Sequence, residues 1–171
     1  DLLKTQNTTL AKSLTGLIFS RIFYIAVFIV LPILLIDMSW WGTLLAFFWM
    51  HFIAGMVLAL IFQPAHVINE TEFYVPNEDL TVENHWAIHQ LKTTANFANN
   101  SPIFSWYVGG LNYQVEHHLF PNICHVHYNK ISKIVKETAK EYGVPYYSGQ
   151  SFFGAVHNHF SMLNKLGKGL V

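Results

Sequence analysis

The sequence predicts an all-α membrane protein: a transmembrane helical hairpin joined to a helical cap that carries a histidine cluster. Three observations predict it. Two apolar runs, each about one bilayer long, lie close together before residue 63. Charged residues are 12% of the 171, where an average soluble domain has about 25%, and the mean hydropathy is +0.29. The ten histidines equal Asp and Glu combined, and all but His51 fall after the second run.

Formal net charge is zero, so no nucleic-acid partner is indicated. The single cysteine, Cys124, excludes an intramolecular disulfide and fits a reducing compartment. The chain starts at Asp1 without a signal-peptide pattern and reads as part of something longer.

Residues 1–13 are polar and read as an approach to the membrane. Residues 17–36 form the first span. Arg21 near its start can snorkel to the interface, and Pro32 near its end predicts a kink. Asp37 to Gly42 is a short turn with the pair Trp40-Trp41, suited to the membrane interface. Residues 43–62 form the second span. Lys4, Lys12 and Arg21 precede or open the hairpin, and the turn holds no Lys or Arg. The positive-inside rule therefore puts both open ends in the cytoplasm and makes the protein integral and multi-pass. Two core helices of a soluble protein would not require such lengths or a tryptophan-bearing turn.

His51 lies near the middle of the second span, where an ionisable group calls for an explanation. It either hydrogen-bonds a neighbouring helix or lines a substrate cavity. His66 follows fifteen residues later, roughly 22 Å along a continuous helix, so the two share no metal unless the helix breaks. His66 emerges where the span ends. Glu70, one turn on, is placed to orient its imidazole.

Residues 63–147 are read as a cytoplasmic cap. Glu72 to Glu83 is an acidic, Pro-containing loop. His85 and His89 are four apart on a helix expected to run to Ala98; this spacing suits metal ligands and surface residues equally. Ile103 to Leu111 is apolar but too short to span, and reads as an interfacial or re-entrant segment. It leads into Gln114-Val115-Glu116-His117-His118. On a helix Gln114 shares a face with both histidines, and neutral imidazole is a common ligand for iron, zinc and copper. Pro121 stops any helix soon after.

His125 and His127 follow, then a helix from Tyr128 to Tyr142 with Ile131, Ile134, Val135 and Thr138 at helical spacing. Its lysines, Lys130, Lys133, Lys136 and Lys140, suit either an ordinary solvated face or docking to anionic head groups or an acidic partner. Gly143 and Pro145 end it. Residues 148–171 carry His157 and His159 and read as a tail without a specified element.

The stretch Gly109-Gly110-Leu111-Asn112-Tyr113-Gln114-Val115-Glu116-His117-His118-Leu119-Phe120-Pro121 resembles the third histidine box of the membrane fatty acid desaturases. The likeness is to the branch whose box begins with Gln, which includes the front-end acyl-CoA and acyl-lipid desaturases. Phe62 to Val67 and Thr93 to Phe97 also carry it, and it runs roughly from Leu17 to Tyr146.

The resemblance implies two non-haem iron ions held mostly by histidines at the cytoplasmic membrane surface. It implies O₂ as oxidant, a fatty acyl-CoA or acyl-lipid substrate, and electrons from a ferredoxin or a b-type cytochrome. His117 and His118 match the third-box ligands, and His66 matches the extra histidine after the last spans. Gln114 stands where other branches have His and is read as a neighbour of the ligands. His85, His89 and His125 are read as neighbours or interfacial residues. The family's first two histidine boxes have no counterpart in these 171 residues, so the chain by itself is expected to be inactive. A lipid hydroxylase on the same scaffold and a non-catalytic lipid-binding module are the other readings.

Overall fold

The computed structural model describes residues 5, 7–82 and 84–170. Lys4, one of the three cations used to orient the hairpin, lies outside the described residues, as does Glu83 of the acidic loop. The chain divides into two compact units, Asp1–Met56 and Val57–Val171.

In the first unit, α1 (Leu10–Ile25) begins at Thr9, whose hydroxyl accepts from the backbone N–H of Lys12 at 3.3 Å. A π-helical turn (Ala26–Val30) leads into α2 (Leu31–Leu35), which has Pro32 in its first turn. Proline removes one N–H and pushes against the carbonyl four residues back, and widening the preceding turn relieves both. Leu10–Leu35 is thus continuous, 26 residues with a mean hydropathy of 2.5. α3 (Trp40–His66) follows with 27 residues and a mean hydropathy of 2.3.

Both helices are long and apolar enough to cross a membrane, and they start earlier than the composition suggests; Trp40, Trp41 and Gly42 belong to α3, not to the turn. Only 0% and 6% of their most apolar windows are buried, which is unlike the core helices of a soluble protein. Tyr24, Phe28, Phe47 and His51 pack their rings together in this unit.

The second unit is helical around a small sheet. α4 (Trp86–Thr93) stops because Thr94 turns extended, at φ −137° and ψ 140°. The expected continuation to Ala98 does not form. Consecutive β-branched threonines weaken helix propensity, and Ala95–Phe97 instead makes strand β1, every residue of it buried. β1 pairs in parallel with β2 (Tyr147–Gln150), so the fold is mostly helical but not all-α.

α5 (Pro102–Tyr107) is a short helix capped by the Ser101 hydroxyl. α6 (Gln114–Leu119) carries the histidine pair, and a 3₁₀ turn (His125–His127) leads to α7 (Tyr128–Glu141). Leu91, Val115, Val135 and Ala139 form one buried cluster that locks α4, α6 and α7 together.

Residues 148–171, expected to lack structure, contain most of β2 and a sixteen-residue helix, α8 (Phe152–Gly167), capped by the Ser151 hydroxyl. Phe152, Ala155, His159 and Met162 follow helical spacing, and the last three are buried. His159 donates from Nδ1 to the Val67 carbonyl at 2.8 Å, while Ala155 packs with Ala65 and Phe97.

Candidate metal centre

The site is built from the C-terminal end of α3, the last turn of α4 and the whole of α6. α6 is short because Pro121 follows directly after its C-cap, Phe120. Its first three residues, Gln114, Val115 and Glu116, are buried, while His117 and His118 are half-buried. The inner half anchors the helix and the outer half presents the imidazoles.

His118 lies beside each of the two other expected ligands. The ring centroids of His66 and His118 are 5.0 Å apart, and those of His117 and His118 are 5.9 Å apart with planes at 78°. Each ring meets its partner through Nδ1. His118 Nδ1 lies 2.7 Å from Gln90 Oε1, His66 Nδ1 lies 3.4 Å from the Thr93 carbonyl oxygen, and His117 Nδ1 lies 3.4 Å from the Tyr128 hydroxyl. Holding one ring nitrogen aims the other, which is how proteins orient metal-binding histidines.

Burial, together with the neighbouring His66 and His117, pushes the His118 pKa down to about 4. That imidazole is therefore neutral at physiological pH, the form that binds metal. The donor set fits iron chemically. Among the described residues, no three His, Cys, Asp or Glu side chains converge on a point able to hold a metal ion.

The other expected residues are placed as follows. Gln114 is buried beside the pair, and its Nε2 has no hydrogen-bond partner among the described residues. His89 is half-buried against the Tyr74 ring at 5.2 Å, and its Nδ1 is likewise without a described partner. His85 is exposed at the N-cap of α4. His125 is exposed, with its Cβ against Gly110.

One expectation needs correction and another is narrowed. Glu70 does not orient His66; its carboxylate accepts from Asn158 and Gln150, because α8 covers that side of the chain. His51 has both ring nitrogens engaged. Nδ1 donates to the Phe47 carbonyl at 2.9 Å, and Nε2 accepts from the Tyr24 hydroxyl at 2.6 Å. Of the two readings of His51, these contacts support the hydrogen bond to a neighbouring helix.

Sequence reasoning missed Glu116, Asn96, Tyr146 and Gln90. Asn96 Nδ2 donates to Glu116 Oε2 at 2.7 Å, and the Tyr146 hydroxyl donates to Oε1 at 2.8 Å. Asn96 Oδ1 accepts from the Val115 N–H at 3.0 Å. Burial raises the Glu116 pKa, while the hydrogen bonds from Tyr146 and Asn96 oppose the rise. The Tyr146 hydroxyl is also pushed up, first by burial and then by the adjacent carboxylate. This network ties α6 to both strands' neighbourhoods. No spacing signal in the sequence announces it, although Asn96 lies within the Thr93 to Phe97 stretch that carries part of the family resemblance.

Two helices long and apolar enough to cross a membrane, followed by a segment that sets His118 beside His66 and His117, are the features to be matched against known proteins. The fatty acid desaturase family model matches residues 5–150, and the chain belongs to that family. Over 146 residues it is 44% identical to the sn-1 linoleoyl-lipid 6-desaturase of Arthrospira platensis, covering 85% of this chain and 39% of that protein. It is 46% identical over 115 residues to the Synechocystis protein of the same name, covering 67% and 32%. With the acyl-lipid (8-3)-desaturase of Physcomitrium patens it shares 44% over 127 residues, covering 74% and 26%. The chain thus spans about two fifths or less of the length of these relatives. No solved structure matches it.

Proposed function

We propose that the full-length protein carrying this chain introduces a double bond into a fatty acyl chain, using O₂ and two non-haem iron ions. His66, His117 and His118 would hold iron through Nε2, with the remaining ligands coming from residues outside this chain. The observation that carries the reading is the approach of His66 to His118, each fixed at Nδ1 by a partner. It is supported by family membership and by relatives that are named as acyl-lipid desaturases.

Iron bound there supplies the oxidising power to remove hydrogen from an unactivated methylene. The chain's own residues orient the ligands. The buried half of α6 holds the histidine pair rigid, and the Leu91–Val115 packing sets α4 against α6. Gln114, buried next to the pair with an open donor, is assigned to the surroundings of the ligands. An acyl-lipid is the substrate class that the relatives' names favour. A ferredoxin or a b-type cytochrome supplies the electrons, and the histidine face lies on the cytoplasmic side of a multi-pass protein.

Mass spectrometry of lipids from cells expressing the full-length protein tests this. An acyl product lighter by two hydrogens is expected. An added oxygen would instead establish a hydroxylase, and unaltered lipids with no bound iron would establish a non-catalytic module. The isolated chain is expected to bind less than two irons and to turn nothing over.

A further inference from the structure

α4 does more than pack against α6. Gln90 and Thr93 are three residues apart and so share a face of that helix. Each offers an oxygen to a different histidine: Gln90 Oε1 to His118 at 2.7 Å, and the Thr93 carbonyl to His66 at 3.4 Å. A carbonyl oxygen has no proton to give. Each ring must therefore carry its proton on Nδ1, which leaves the lone pair on Nε2. The two rings so fixed are 5.0 Å apart.

The Gln90 bond is the shorter and better formed, since N–H···O bonds cluster near about 2.9 Å and weaken beyond. Its register is set by the next residue. Leu91 is buried against Val115, which lies three residues before His118 on α6.

We propose that Gln90 is a positioning residue for the metal centre: it fixes His118 in the Nδ1–H form, so that Nε2 faces the metal, while Thr93 does the same for His66. Gln90 acts through the His118 ring, at 2.7 Å from its Nδ1. The inference rests on the proposed iron-binding role of His118. The chemistry required of residue 90 is an acceptor of the right length and nothing else. Glutamate meets it, leucine lacks it, and lysine supplies a donor where an acceptor is needed.

The test is made on the full-length protein in detergent, comparing wild type with Gln90→Leu, Gln90→Glu and Gln90→Lys. Iron affinity is measured by competition with a chelator. Loss of such an orienting partner lowers metal affinity by about 10–100-fold. Gln90→Leu is expected to lose that much with an unchanged melting temperature of the iron-free protein, and Gln90→Glu to stay within a few-fold of wild type. Should Gln90→Leu fail to fold, Gln90→Glu binding iron where Gln90→Lys does not would support the same role. Equal affinity in Gln90→Leu and wild type, or in Gln90→Glu and Gln90→Lys, overturns the proposal.

A second readout separates this from the iron reading. Nitrogen NMR of ¹⁵N-histidine-labelled, iron-free protein reports which ring nitrogen of His118 carries the proton. Nδ1–H in wild type, altered in Gln90→Leu, supports the role of Gln90 even if wild type binds no iron. An unaltered tautomer overturns it even if wild type does.

Discussion

The carboxyl of Glu116 lies 2.8 Å from the hydroxyl of Tyr146, thirty residues further along the chain; Glu116 is fully buried and Tyr146 half-buried. Asn96 bridges the two, donating to Glu116 and, at 2.8 Å, to the Tyr146 oxygen. The polar group immediately before the histidine pair is thus fastened to β1 and to the segment leading into β2. The histidines inherit their position from this fastening and from the Leu91–Val115 contact.

Glu116→Ala removes the acceptor for two donors, the buried Asn96 amide and the half-buried Tyr146 hydroxyl. Leaving such groups unsatisfied costs about 1–3 kcal/mol, and the melting temperature of the purified protein should fall by several degrees. Glu116→Gln should be much milder. Its oxygen can accept from Asn96 while its amide donates to a turned Tyr146 hydroxyl, and burial already favours the uncharged carboxyl that glutamine imitates. Equal losses in the two variants would mean the network contributes only packing.

Gly110 and Gly109 give a matched pair. Both have positive φ, +74° and +61°. A Cβ at Gly110 would meet His125 Cβ at 2.7 Å, whereas at Gly109 it meets nothing within 4 Å. Gly109→Ala should cost about 1–2 kcal/mol, the left-handed penalty alone. Gly110→Ala should cost clearly more and shift the 3₁₀ turn that bears His125. Thermal melting of the two variants side by side checks the ranking.

Tyr24→Phe removes the donor to His51 Nε2 and leaves the Phe47 bond in place. Hydrogen bonds between membrane helices contribute on average about 0.6 kcal/mol, so a small loss of stability is expected. Because both His51 nitrogens are committed to the protein, the distribution of acyl products should not change. A changed double-bond position or chain-length preference would return His51 to the substrate cavity.

Much of the fold was legible in the sequence, for physical reasons that also explain the failures. The spans declare themselves because the bilayer fixes a length that only long apolar runs satisfy. The helix at Tyr128 declares itself because one face is buried and the other carries lysines. β1 does not, because three residues cannot display a period. Its stability comes from β2, about fifty residues away. α8 was missed because two glycines, two asparagines and two histidines interrupt an otherwise apolar stretch, yet Ser151 as cap and the spacing of Phe152, Ala155, His159 and Met162 were there to be read. At the site, the histidines were legible as a motif. Gln90 and Glu116 were not, since their roles arise only when α4 and the strands are brought against α6.

Whether His66, His117 and His118 hold iron is decided by the metal content of the full-length protein, purified as wild type and as His66→Ala, His117→Ala and His118→Ala. Two irons per chain are expected in wild type and loss of iron in each variant, with membrane insertion and melting of the iron-free protein retained. A wild type without iron, or variants that keep the full complement, would contradict the assignment of these three histidines as ligands.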